Sequence, residues 1–252
     1  MTSVSNAAVG AFLAGNAAAK ARHGMNEAIA RLSTGVRSMY GGDAAGASVA
    51  HTLRADGRSA LMAARNVEDG ISFLQAGESA LLEIAALNTR LRELAVQDLN
   101  AAFLDANQEA AITAEEDAVK AAGNAIDTAT LNNVALLTAG IGFTTDMDGT
   151  LTTLGAAAGL TLASGVSNVD TQMGKISKAL GSMAAGIAAL KGHQGTLYAL
   201  SSNAEAAAAR IQDTDFARSS ANLAKFSILN QSAMAMVSQA NQANSAVLAV
   251  LQ

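Results

Sequence analysis

Residues 226–252 read FSILNQSAMAMVSQANQANSAVLAVLQ, without a single Lys, Arg, Asp or Glu. The other end, MTSVSNAAVGAFLAGNAAA over residues 1–19, has none either, so every charge lies between Lys20 and Lys225. A solvated chain end normally keeps charge, because it buries too little apolar surface to offset the entropy of ordering. Both ends are patterned nonetheless. Val4, Ala8, Ala11, Gly15, Ala18, Arg22, Met25, Ile29, Leu32 and Val36 follow steps of four and three. Leu223, Phe226, Asn230, Ala233, Val237, Ala240, Asn244, Val247 and Leu251 do the same. Spacing near 3.5 residues lays such side chains along one seam of a helix that meets another helix. A lone helix is marginal in water, so the ends are expected to become helical on assembly, covered by other copies of the same chain.

Composition points the same way. Half of the 252 residues are hydrophobic but only 3% are aromatic, and Ala fills about a quarter of the positions. Thick cores need the large side chains that carry most buried area; an Ala-rich chain without Trp predicts thin cores between close helices. With no Pro anywhere, nothing interrupts long helices. The expected fold is mainly α, an elongated antiparallel helical bundle or coiled coil of long helices with one small β-hairpin.

Other classes fall away on chemistry. A net charge of -5 argues against nucleic acid, whose phosphates need a basic face. The absence of Cys removes disulfides and thiolate metal sites. Residues 226–252 are long enough to span a bilayer, but Ser227, Asn230, Gln231, Ser232 and further Asn, Gln and Ser residues make membrane insertion unfavourable. The amino terminus lacks a basic region and is interrupted by Ser3, Ser5 and Asn6, which makes it a poor secretory signal.

Between the ends, Tyr40-Gly41-Gly42-Asp43-Ala44-Ala45-Gly46 reads as a turn. Helical pattern then runs to about Asn100, marked by Leu74, Leu81, Ile84, Leu87, Leu91 and Leu94. Asp105 with Gln108, and Thr113 with Glu116, read as capping pairs of a helix ending near Thr130. Residues 140–165 change character, and Ile141 to Leu154 reads as strand, turn, strand, turning at Asp146-Met147-Asp148-Gly149. Helix resumes from Val166 to Arg210. The expected organisation is an inner segment 1–40 paired with 213–252, around an outer helical domain 41–212 that carries the hairpin near 140–165.

No catalytic pattern emerges. His23, His51 and His193 sit in unrelated segments without a His-Glu-x-x-His arrangement. Asp146-Met147-Asp148-Gly149 resembles the opening of a calcium loop but lacks the later ligands and the closing Glu. Gly181 to Gly186 has the glycine spacing of a phosphate loop and then continues Ile187-Ala188, without Lys and Ser/Thr. Glu115-Glu116-Asp117 reads as a negative first helical turn. No enzyme, metal or cofactor is expected.

Five strings, in order and at both ends, resemble bacterial flagellin. They are Arg31-Leu32-Ser33-Thr34-Gly35-Val36-Arg37 with Asp43-Ala44-Ala45-Gly46, then Arg65-Asn66-Val67-Glu68-Asp69-Gly70-Ile71-Ser72, then Leu91-Arg92-Glu93-Leu94-Ala95-Val96-Gln97. Arg210-Ile211-Gln212-Asp213-Thr214-Asp215-Phe216-Ala217 and Gln239-Ala240-Asn241-Gln242 complete the set. The resemblance covers roughly residues 20–137 and 166–252, and the short gap between implies a minimal form without outer variable domains. There are departures. The amino terminus lacks the Asn-rich opening common in that family, and Gln242-Ala243-Asn244-Ser245 stands where many relatives carry a proline.

The resemblance implies a structural subunit that self-assembles into the flagellar filament for swimming, placed outside the cell. It implies, as partners, copies of the same chain, the flagellar export apparatus and an export chaperone, and the filament cap and hook-junction proteins. The assembly seam would then include Val4, Ala8, Ala11, Leu32, Val36, Leu223, Phe226, Val237, Val247 and Leu251. The small residues of Asp43, Ala44, Ala45 and Gly46 let a neighbouring backbone approach, which makes that loop the candidate axial contact. Arg90 and Leu94 fall where a vertebrate Toll-like receptor meets flagellins, with a third, acidic contact at Glu115 or Glu116. A hook–filament junction protein is the nearest alternative, and a secreted helical binding module or innate-receptor ligand is the alternative from another class. Deleting residues 1–20 and 230–252 separates the last, whose activity would survive.

Overall fold

The computed structural model of the chain describes residues 2–37, 42–137, 140–146, 148–154 and 160–251. Five long helices dominate it: α1 (Thr2–Thr34), α2 (Ala44–Asp98), α3 (Ala106–Asp127), α4 (Val166–Gln212) and α5 (Phe216–Leu251). Two small antiparallel pairs lie between α3 and α4, namely β1 (Thr130–Leu131) with β2 (Val134–Ala135) and β3 (Ile141–Thr144) with β4 (Leu151–Leu154). The chain is mainly α, as the composition predicts.

Helix ends follow from local chemistry. Gly35 closes α1 in the left-handed conformation (φ 70°), its amide donating to the Arg31 carbonyl at 2.9 Å. Val36 therefore leaves the helical seam assigned to it and forms an isolated antiparallel bridge with Asp213. The Arg37 amide donates to the Gln212 carbonyl at 2.7 Å and the Thr214 amide to the Gly35 carbonyl at 2.8 Å, so residues 35–37 and 212–214 form a short strip. Asp105 and Gln108 make the expected capping box at α3, the Asp105 carboxylate accepting from the amides of Asn107 and Gln108. Thr113 is no cap: it lies within α3, its hydroxyl donating to the Glu109 carbonyl, and Glu116 is buried. Asp215 caps α5 by accepting from the Arg218 amide at 3.0 Å.

The chain divides into two compact units, Met1–Arg54 with Ala204–Gln252, and Ala55–Asn203. These limits lie beyond residue 40 and before residue 213, where the turns suggested them. The first turns of α2 and the last of α4 belong to the terminal unit, where Arg54 pairs with Glu205 at 3.6 Å and Asp213 at 3.5 Å.

In the second unit α2 runs antiparallel to α4. Buried Leu74, Leu81, Ile84 and Leu91 of α2 form the core with Val169, Ile176, Met183 and Leu190 of α4. Asn88 is buried among them and donates from Nδ2 to the Val169 carbonyl at 3.0 Å, fixing the register of the two helices. Beside it, Arg92 Nε donates to Asp170 at 2.8 Å. Helix α3 packs where Gly123 leaves room for Leu162, whose methyl would collide with any side chain there.

The hairpin β3–β4 pairs Ile141 with Leu154 and Thr144 with Leu151. Its turn uses Gly149 (φ 81°), and Met147 of the expected turn lies outside the described residues. Phe143 seats the hairpin on α2, 6.3 Å from the Phe73 ring centroid and directly over Gly70, where a Cβ would come within 2.7 Å of the ring. The β1–β2 turn was not expected. Asn132 and Asn133 both have positive φ, 51° and 63°, the conformation of a tight hairpin turn, and they shorten the helix expected to reach Thr130.

Candidate assembly surfaces

The terminal unit is built around α1 and α5, which pack antiparallel. Arg22 meets Met234, Gly24 meets Phe226 and Gly35 approaches Phe216, so residue numbers rise on one helix as they fall on the other. What α1 buries is small: Ala18, Ala21, Gly24 and Ala28. Of the seam expected on α1, Ala18 is buried and Met25 half-buried, whereas Gly15, Arg22 and Ile29 are exposed, with Ala21 and Ala28 buried in place of the last two. The cause is Phe226, whose ring covers Gly24 so closely that a Cβ there would lie 2.6 Å from it. On α5 the seam runs as spaced, with Ala233 buried and Leu223, Phe226, Asn230, Val237 and Ala240 half-buried. Ala11 and Leu32 of α1 are half-buried. Val4, Ala8, Val247 and Leu251 lie on helical backbone, but their side chains are outside the described residues.

Phe226 apart, many large apolar side chains of this pair stay exposed. Phe12 is 71% exposed and Ile228 63%, and Val9, Leu13, Ile29, Phe216, Leu229, Met234 and Met236 are also exposed. Among the described residues, the fully buried apolar ones of the pair are all Ala and Gly, while these large ones are exposed, which reverses the usual order of a globular core. So many exposed large apolar residues on two helices point to an interaction surface.

The segment Asp43-Ala44-Ala45-Gly46 is largely the first turn of α2, with Tyr40 and Gly41 outside the described residues. Asp43 caps the helix, its Oδ1 accepting from the Gly46 amide at 2.8 Å. Arg37 Nη2 donates to the other oxygen, Oδ2, at 2.5 Å. A Cβ at Gly46 would crowd that carboxylate, so a side chain there would have to displace the cap. The Gly46 amide first, and Arg37 second, hold the Asp43 carboxyl below its ordinary pKa. Arg37 also donates from Nε to the Ile211 carbonyl at 3.0 Å, a clasp with no signal in its sequence spacing.

In the second unit, Arg90 reaches Glu115 through Nε at 2.8 Å and Nη2 at 2.6 Å, and Glu93 through Nη1 at 2.7 Å. Glu93 and then Glu115 raise the Arg90 pKa above its ordinary value. Of the two candidate acids, Glu115 therefore stands beside Arg90, whereas Glu116 is buried. Leu94 is only 1% exposed and belongs to the core. A shallow recess of about 360 Å³ follows, lined by Gln97, Leu104, Gln108, Ala111, Ile112 and Glu115.

His23, His51 and His193 are all exposed, and no three His, Asp or Glu side chains among the described residues are grouped to hold a metal. Among the same residues no helix is long and apolar enough to cross a membrane.

Both helical regions of the chain match known families. Residues 6–141 match the bacterial flagellin N-terminal helical region, and residues 162–251 match the bacterial flagellin C-terminal helical region. The chain is 32% identical to a flagellin of Halalkalibacterium halodurans over 248 residues, covering 90% of this chain and 91% of that one. It is 31% identical to a flagellar filament core protein of Brachyspira hyodysenteriae, over 90% of this chain and 92% of the other. Against a flagellin of Bacillus subtilis the identity is 28%, over 88% and 91%.

Proposed function

The chain belongs to the bacterial flagellin family, and we propose that its α1–α5 pair forms the inner wall of the filament that this family builds. It is a structural subunit of the flagellar filament, not an enzyme. The observation that carries the inner-wall reading is the reversed order of side chains on the pair. On the α1 side the pair fully buries only Ala and Gly among the described residues. Phe12, Leu13, Ile228, Leu229 and Met236 stay outside, each offering about 1 kcal/mol on burial by a neighbour. A helical filament needs such heterologous faces, one patch meeting a different patch on the next copy.

By this reading residues 55–203 form the outer tube, and the first turn of α2 meets an axial neighbour through Ala44, Ala45 and the Asp43–Gly46 cap. The subunit leaves the cell unfolded through the flagellum's own export apparatus, held beforehand by an export chaperone, and works outside it between cap and hook-junction proteins. Relatives named flagellin or filament core protein favour the filament over the hook junction. For the vertebrate receptor the reading rests on Arg90 with Glu115, since Leu94 offers almost no surface.

Electron microscopy of purified protein after a polymerisation trigger tests the function. Long tubes of uniform diameter are expected from the full chain, and none after deletion of residues 1–20 and 230–252. Persistent monomers from the full chain would refute it.

A further inference from the structure

With no Cys, the nine methionines hold all of the sulfur in this chain. Met183 is 1% exposed, in the core of the second unit. Met234 and Met236 are 49% and 61% exposed, and both lie on the charge-free part of α5 with the exposed Ile228 and Leu229. Two positions apart on a helix, they point to different sides of α5, and both thioethers are open to oxidation. An oxygen-atom donor such as hydrogen peroxide attacks the thioether in a two-electron step. The sulfur lone pair takes one peroxide oxygen, an S–O bond forms, the O–O bond breaks, and the peroxide is reduced to water. A flexible apolar side chain becomes a dipolar sulfoxide that needs a hydrogen-bond donor when buried.

The two positions differ in what surrounds them. Arg22 Nη2 approaches the Met234 sulfur at 3.8 Å, and no described carboxylate forms an ion pair with that guanidinium. A sulfoxide oxygen on Met234 therefore meets a cationic donor within its own chain. Met236 has no such donor among the described contacts and is 61% exposed. Its sulfoxide would be buried against apolar atoms of a neighbouring copy.

We propose that Met236 is the modification site whose oxidation to sulfoxide by a peroxide-class oxidant closes the subunit to self-assembly, and whose reduction reopens it, while Arg22 accommodates a sulfoxide on Met234. The inference rests on the assembly reading above. Because assembly would cover Met236, the subunit is sensitive before incorporation and protected after it.

The test exposes the full-length chain and its Met236→Leu variant to hydrogen peroxide, then removes the oxidant. Leucine keeps the position apolar and helix-forming. Peptide mass spectrometry maps the sulfoxides, with Met183 as the protected internal standard. Polymer is then measured by sedimentation and electron microscopy. Oxidation should raise the concentration needed for polymer by about tenfold in the wild type and leave the variant unchanged. Methionine sulfoxide reductase with dithiothreitol should restore the oxidised wild type. Normal polymer from wild type carrying the Met236 sulfoxide overturns this inference alone, as does equal loss in the oxidised variant. Unoxidised protein that never polymerises overturns the assembly reading, and this inference with it.

Discussion

Phe226 closes over Gly24 so tightly that a methyl group on Gly24 would come within 2.6 Å of ring atoms Cε2 and Cζ. This contact sets which face of α1 turns inward. Gly24→Leu should push the ring out, costing about 1–3 kcal/mol of pairing between α1 and α5. Helix content by circular dichroism should fall and filaments should be lost. Adding Phe226→Ala should recover part of both, since the two residues share one volume. Additive losses in the double variant would contradict the contact.

Ile228 tests the outer face separately from the fold. It is 63% exposed, so Ile228→Asp should leave the monomer within about 0.5 kcal/mol of wild type. Sedimentation should nevertheless find no polymer at concentrations where the wild type assembles. Normal assembly would remove this face from the filament.

Asp43 gives a pH dependence with a defined sign. Its carboxyl is held below the ordinary value by the Gly46 amide and Arg37, so the folded state favours the charged form. That contribution is present above the unfolded pKa and is lost as pH falls through the lower, folded one. Asp43→Asn keeps a good cap but cannot ionise. Its melting temperature should be less acid-sensitive than that of the wild type, with the two curves converging at low pH. Parallel curves would show that Asp43 does not titrate with folding.

Arg90 and Leu94 should separate in a receptor assay. Leu94 is core, and Leu94→Ala should destabilise the second unit by about 2–5 kcal/mol, seen in a thermal melt. Arg90→Ala should leave the melt near wild type while lowering any response of receptor-bearing reporter cells. A full response with Arg90→Ala would take that surface out of receptor recognition.

Much of this was legible in the sequence because helices announce themselves by period, and here nothing competes with them. The missing charge at both ends, the Asp105–Gln108 cap and the Leu81, Ile84 and Leu91 stripe each follow from one segment alone. Parts of the α1 seam did not follow, at Gly15, Arg22 and Ile29, because Ala and Gly carry no preference strong enough to choose a face. The choice belongs to Phe226, some two hundred positions away. Asn132-Asn133 could have been read as a hairpin turn, yet the helical run before it extended past Asp127 by propensity alone. Leu94 shows the same division. Its place in a helix is local, but its burial depends on how α2, α3 and α4 come together.

The strip formed by residues 35–37 and 212–214 has a mechanical consequence. Two backbone hydrogen bonds cross it, from Arg37 to Gln212 and from Thr214 to Gly35. They lie across the run of the antiparallel strands. A pull along those strands loads both bonds at once, in shear, whereas a pull that peels the strands apart loads them one after the other. The strip therefore resists sliding better than peeling, which suits a part that transmits thrust from a rotating base.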